Sequence, residues 1–340
     1  QNYSELNSLF PKKIFLLPKK FSELQITTIN KNSNADIYVL SGFNRIIPES
    51  LFNSPRYGSI NLHAGPVPSY RGGSPLNWQL INGEKKIGLS VLKVEKGLDN
   101  GDILDLSFFK INSSTNIYEV HRKTNETFPV MVIRALNNIK TKKKRKKQNE
   151  KKAVYWHQRN ETDGLIDWKN KNAVDVKNLV RALTYPYSGA FTFYNSKKIT
   201  ILEAEVFKPE VKGIPGKILF LSKDNPLVIC KDKALLIKSY KSDFPLISGH
   251  LLGWYMCGIA GIVSFKKNVS DFKNDIVLMN DSQNHRGPDD EGYWNDDQVF
   301  FAHKRLSIID TTDKAKQPMI KHGLVMVYNG EIYNYIELKS

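Results

Sequence analysis

Asn61 and His63 stand two positions apart in Ser59-Ile-Asn-Leu-His63, a segment that reads as a strand. On an extended chain such a pair projects to one side, so an amide and an imidazole sit together. That pairing suits acyl-type transfer: the amide holds an oxygen that gains negative charge, and the imidazole moves a proton near neutral pH. Asp99, in Gly97-Leu-Asp-Asn-Gly-Asp102, supplies a carboxylate that can keep His63 protonated or correctly oriented. Alone, Asn-x-His is a weak signal, because a single histidine on a strand is more often structural. No metal ion is expected.

The elements that must position these groups read as an α/β layer fold. Residues 36–42 form a short apolar run ending in Gly, as a buried parallel strand does. A helical turn over 48–52 follows, then the strand bearing Asn61 and His63, then a Pro/Gly-rich loop over 65–73. A strand ending in such a loop places its last residues at the carboxyl edge of a sheet, where open α/β folds bind ligands. Residues 75–82 are predicted helical and stopped by Gly83, 87–94 and 103–111 are predicted strands, and 116–139 a helix. Before these, 14–17 and 24–29 read as short strands or edge pieces. Past residue 152 the character changes. A helix over 175–183 precedes short strands at 190–194, 198–205, 216–221, 227–230 and 234–239, the pattern of a small β-barrel.

The chain carries a net charge of +16, with much of the excess between Lys140 and Lys152. Like-charge blocks are commonly solvated linkers, so that is the first reading; contact with phosphates of an acidic partner is the second. Two cysteines, Cys230 and Cys257, cannot build a disulfide framework and suit a reducing cytoplasm. No apolar run is long enough to cross a bilayer, and the N-terminus lacks a secretory pattern. A cytoplasmic location is expected, with no membrane partner.

Three ordered blocks carry a family likeness: Ile60-Asn-Leu-His-Ala-Gly-Pro-Val-Pro-Ser-Tyr-Arg-Gly-Gly73, Pro75-Leu-Asn-Trp-Gln-Leu-Ile-Asn-Gly-Glu84 and Gly97-Leu-Asp-Asn-Gly-Asp-Ile103. Together they resemble the signature of 10-formyltetrahydrofolate-dependent formyltransferases. The resemblance implies a doubly wound domain in which an acceptor amine attacks a formyl carbon. Asn61 would hold the oxyanion, His63 would handle the proton and Asp99 would tune His63. The folate would lie against Arg45, Ile46 and Ile47, and against the stretch of Glu95, Lys96, Gly97, Leu98 and Asp99. Near it, Gly73 could offer backbone only. Tyr70 and Arg71 are read as packing and capping the loop, and Trp78 as a core anchor. Asp163-Gly-Leu-Ile-Asp-Trp168 and Gly213-Ile-Pro-Gly216 resemble the family's C-terminal OB-like domain. The implied acceptor is the amine of a nucleotide-linked amino sugar, favoured by Ala64-Gly-Pro and Pro75-Leu-Asn-Trp-Gln. Initiator tRNA is the alternative, favoured by the basic run and the barrel. Against the family pattern, the opening βαβ elements are expected to be missing.

A second likeness begins at Met256-Cys-Gly-Ile-Ala-Gly-Ile262 and continues through Arg286-Gly-Pro-Asp-Asp-Glu-Gly292, Ala302-His-Lys-Arg-Leu-Ser-Ile-Ile-Asp310 and Asn329-Gly-Glu-Ile-Tyr-Asn334. These resemble the glutaminase domain of asparagine synthetases, a class II glutamine amidotransferase. The resemblance makes Cys257 the nucleophile, Arg305 the ligand of the glutamine carboxylate, Asn329 and Gly330 the oxyanion hole, and Glu331 a neighbour of the substrate amine. In that family the cysteine's own α-amine is the base. Cys257 follows 256 residues, so no glutaminase activity is expected without cleavage before it. Met256 stands where a separate reading frame would start, and the tail is expected to be a truncated, marginal α+β piece.

The expected organisation is therefore a partial doubly wound parallel sheet over 1–139, a basic linker over 140–152, an OB-like barrel over 153–255 and a truncated glutaminase-like tail over 256–340.

Overall fold

The computed structural model describes residues 22–43, 46–143, 145–194, 197–221, 225–253, 257–284, 290–305, 312 and 315–329. The chain divides into two compact units, one of residues 1–79, 85–111 and 120–158, the other of 80–84, 112–119 and 159–340.

The first unit opens with helix α1 (Glu23–Ser33). Residues 24–29, expected as strand, are helical because Ser22 and Gln25 form a capping box that satisfies the first-turn amides. The predicted piece at 14–17 lies outside the described residues. Strand β1 (Tyr38–Ser41) leads through the short α2 (Glu49–Phe52) to β2 (Ser59–His63). The loop after β2 contains the two-residue β3 (Arg71–Gly72), and α3 (Pro75–Ile81) follows. Strands β4 (Lys86–Lys93) and β5 (Ile103–Lys110) precede α4 (Ile117–Lys140).

The sheet order is β1-β2-β4-β5. β1 and β2 are parallel, with Leu40 opposite Asn61, whereas β2–β4 and β4–β5 are antiparallel. The expectation of a doubly wound parallel sheet holds for one pair only; the sheet is mixed. For β4 and β5 the reason is connection length. Parallel neighbours need a crossover of about a dozen residues or more, and only residues 94–102 separate β4 from β5. Ile87, Leu89 and Val91 on β4 are fully buried, making it the centre of the core. α4 is tied to β5 by Arg134, paired with Asp105 at 2.8 Å, and by Asn138, whose amide donates to Leu104 O at 3.0 Å.

Two buried polar side chains stitch the loop after β2 to this core. Gln79 donates to Ala64 O and accepts from Gly88 N, and Ser90 Oγ donates to Gly65 O. β3 pairs in parallel with β6 (Tyr155–Trp156), bringing residues far along the chain against the loop. Gly72 there has φ +93, and a Cβ would lie 2.3 Å from Trp156 O, so only glycine fits.

In the second unit, α5 (Ala173–Leu183) packs on a curled antiparallel sheet of β7 (Ala190–Tyr194), β8 (Lys197–Val206), β9 (Ile218–Phe220), β10 (Pro226–Ile229) and β11 (Ala234–Lys241). Its order is β7-β8-β11-β10-β9. Bridges Phe193–Gly253 and Lys217–Leu251 let one later segment touch both the β7 edge and the approach to β9. The expected barrel is thus a curled half-barrel. Its core includes Ile199, Ile201, Val228, Leu235 and Trp168, whose indole N–H donates to Thr192 Oγ1 at 2.9 Å. Arg181 is buried, its guanidinium bonded to Asn178 Oδ1, Asn112 O and Thr115 O.

Farther along the same unit, β12 (Gly258–Val263), β13 (Asp290–Asn295) and β14 (Val299–Arg305) form a sheet in the order β12-β14-β13, covered by α6 (Lys273–Asp281). Ala260, Val269, Ile276, Phe300 and Ala302 make its small core. A two-stranded pair, β15 (Met319–Lys321) with β16 (Leu324–Met326), follows. Among the described residues no helix is long and apolar enough to cross a membrane, and no group of three or more His, Cys, Asp or Glu side chains could hold a metal ion.

Candidate active site

The last residues of β2 and the loop before β5 meet at one point. Asn61 and His63, on the same side of β2, both face the Asp99 carboxylate. Asn61 Nδ2 lies 3.4 Å from Asp99 Oδ1, and His63 Nδ1 lies 3.4 Å from Asp99 Oδ2. The second ring nitrogen, Nε2, is 2.5 Å from Tyr70 O. The imidazole is therefore held between a carboxylate and a main-chain carbonyl, with His63 only 6% exposed. Asp99 Oδ2 also accepts from Gly72 N at 2.9 Å.

Asp99 reaches this point with φ +50, a conformation that is uncommon without glycine. Its support comes from Gln148, whose amide donates to Asp99 O at 2.8 Å and Gly101 O at 2.7 Å. Gln148 in turn accepts from Arg71 Nε and Nη2. Arg71 is fully buried, and its remaining N–H groups go to Glu150 and Tyr155, with Glu150 Oε1 at 2.6 Å and Tyr155 Oη at 2.7 Å. A guanidinium has five N–H donors, and the five bonds use them all. The hydrogen bonds to Glu150, opposed by burial and aided by Tyr155, raise the Arg71 pKa above its ordinary value. The same hydrogen bonds hold the Glu150 carboxyl below its usual range.

Arg71 thus does more than pack and cap the loop. The segment read as a basic linker contributes Gln148 and Glu150, and Lys146 exchanges main-chain hydrogen bonds with Ile103 at 2.8 and 3.2 Å. Sequence reasoning missed Gln148. Its one signal is a neutral amide amid lysines. Trp78 is one of a stack of rings rather than an isolated anchor. It lies 5.0 Å from Trp156, which stacks on Tyr70 at 5.5 Å, and its indole N–H donates to His157 O.

Of the residues expected beside folate, Arg45 lies outside the described residues. Ile46 is 95% exposed and Ile47 half-buried, just past β1. Glu95, Lys96, Gly97 and Leu98 are exposed on the loop that ends in Asp99, Leu98 to 57%. Gly73 is committed elsewhere: its N–H donates to Trp156 O at 2.8 Å, and a Cβ would lie 2.4 Å from Gln158 Cα.

In the glutaminase-like segment, Gly258 pairs with Lys304, so Cys257 and Arg305 lie at adjacent ends of β12 and β14. Arg305 is buried and donates to Thr312 O. His303 Nε2 faces Tyr328 O at 3.3 Å, which brings the chain at Asn329 to the same strand. Among the described residues, the buried Asn329 side-chain oxygen has no hydrogen-bond partner. Gly330 and Glu331 lie outside the described residues.

Comparison with known proteins gives the family. Residues 8–157 match the formyl transferase model, 159–243 the formyl transferase C-terminal domain and 256–340 the glutamine amidotransferase domain. The methionyl-tRNA formyltransferase of Caldanaerobacter subterraneus subsp. tengcongensis is 34% identical over 240 residues, covering 68% of this chain and 77% of that protein. The bifunctional polymyxin resistance protein ArnA of Wigglesworthia glossinidia brevipalpis is 34% identical over 266 residues, 76% of this chain and 39% of that one. Among solved structures, HypX from Aquifex aeolicus in complex with tetrahydrofolic acid shares the fold, with a TM-score of 0.50 at 22% identity over 64% of this chain and 38% of that one. The chain belongs to the formyltransferase family, whose members use 10-formyltetrahydrofolate, and it continues into residues that match a glutamine amidotransferase domain.

Proposed function

We propose that this formyltransferase acts on the primary amine of a nucleotide-linked amino sugar, with Asn61, His63 and Asp99 as its catalytic groups. The observation that carries the site is the single Asp99 carboxylate facing both Asn61 and His63. The residues around it suit a folate donor. The Ile46 and Leu98 side chains present apolar surface to solvent, the kind of surface a flat pterin covers, and an exposed backbone stretch leads into Asp99.

The donor supplies an activated formyl carbon. An amide carries two N–H donors. One from Asn61 reaches Asp99, and the other is the donor for the formyl oxygen as it gains charge. His63 accepts the proton that the attacking amine loses, and a proton passes to the departing donor nitrogen as its bond to carbon breaks. Both imidazole nitrogens face oxygens, so the ring gives up one contact when the amine arrives. Asp99 holds the ring through that exchange.

The sugar acceptor is favoured by the Ala64-Gly-Pro loop, whose backbone is clamped by Gln79 and Ser90. Initiator tRNA is the second reading, favoured by the exposed lysines between 140 and 152 and by the matched methionyl-tRNA formyltransferases. Purified full-length chain, given 10-formyltetrahydrofolate and either dTDP-4-amino-4,6-dideoxyglucose or initiator Met-tRNA, separates the two. Transfer to the sugar is expected; transfer to Met-tRNA alone overturns the sugar assignment.

A further inference from the structure

We propose that Gln148 is a positioning residue for formyl transfer: it holds the loop that delivers Asp99, and Arg71 fixes the direction in which its amide donates. The Gln148 amide cannot be flipped. Arg71 only donates, so it must meet Oε1; main-chain carbonyls only accept, so Asp99 O and Gly101 O must meet Nε2. The arrangement closes on itself. Gly72 N holds the Asp99 carboxylate, Arg71 is the residue before Gly72, Arg71 bonds Gln148, and Gln148 holds the Asp99 carbonyl.

Asp99 is thereby secured through side chain and main chain at once. Both anchors count, because positive φ, which aspartate tolerates better than most residues, still carries a cost for a residue with a Cβ. The residues before it, Glu95 to Leu98, are exposed and bring little burial to the task. Without Gln148, the loop carbonyls turn to water and the Asp99 carboxylate leaves the Asn61–His63 pair. The contribution to turnover rests on the formyl-transfer reading; the contribution to loop order does not.

Gln148→Ala and Gln148→Glu, made in the full chain, test this. The glutamate variant still accepts from Arg71 but has no N–H for the two carbonyls. A role confined to seating Arg71 predicts that it matches the wild type. The positioning role predicts that both variants speed amide exchange at residues 97–101 and at Gly72 by about 10-fold or more, with β4 and β5 unchanged. It also predicts a kcat reduced about 100-fold at unchanged KM for dTDP-4-amino-4,6-dideoxyglucose. Wild-type exchange in Gln148→Glu overturns the proposal. If Gln148→Ala unfolds throughout, Gln148→Glu decides. If the wild type formylates no sugar, the acceptor assignment fails while the exchange pattern still judges Gln148.

Discussion

The main-chain N–H of Gly72 donates to Asp99 Oδ2 at 2.9 Å across 27 positions of sequence, and the same oxygen faces His63 Nδ1. The motif loop and the strand bearing His63 therefore converge on one oxygen of Asp99. Gly72 has φ +93 and lies against Trp156 O. Gly72→Ala is expected to cost about 2 kcal/mol or more through strain and collision. Urea unfolding of the first unit would register it, and wild-type stability would count against so tight a fit.

Asp99→Asn keeps a residue type that tolerates positive φ, retains an oxygen acceptor and removes the charge. Its melting temperature should stay near that of the wild type while kcat falls about 100-fold or more. Asp99→Ala should lose stability as well, because its Cβ is retained at φ +50 with no carboxylate for Gly72 N to meet. Single-turnover formyl transfer beside thermal melts distinguishes the two variants.

Stability should depend on pH through Glu150. Arg71 holds its carboxyl below the ordinary value of 4.5, so folding binds the deprotonated form preferentially. The contribution is fully present above that ordinary value and is lost as pH falls through the lowered one. Melting curves of wild type and Glu150→Gln should be well separated at pH 7 and converge in acid. Because Glu150 is 66% exposed, added salt should narrow the gap at neutral pH.

The two thiols should react unequally. Cys230 is buried, and burial, with Asp232 nearby, pushes its pKa up to about 12. At pH 8 only about one molecule in 10,000 carries a thiolate there. Cys257 is partly exposed. Iodoacetamide followed by peptide mass spectrometry should modify Cys257 in the folded chain and Cys230 only after denaturation. A glutamine-analogue electrophile should label Cys257 only after cleavage that frees its α-amine.

Asn61, His63 and Asp99 were legible as candidates through the three ordered motif blocks that carry them, since Asn-x-His on a strand is a weak signal by itself. Helices α3, α4 and α5 were legible from apolar spacing and their stops. Gln148 was hidden, since its meaning comes from carbonyls 47 and 49 positions away. The sheet was misjudged for a different reason. Apolar alternation marks strands but says nothing of direction, and the short connection between β4 and β5 was the signal for an antiparallel turn. Residues 24–29 carry strand-forming types, and their helical state was written in the capping residues beside them.

The stretch from Lys140 to Lys152 has one further consequence. Most of its charged side chains point into water, where one cation serves the fold as well as another. Saturation mutagenesis across it should find a tolerant field broken at Gln148 and Glu150. A segment whose composition looks interchangeable would then be where random change most quietly disables the enzyme.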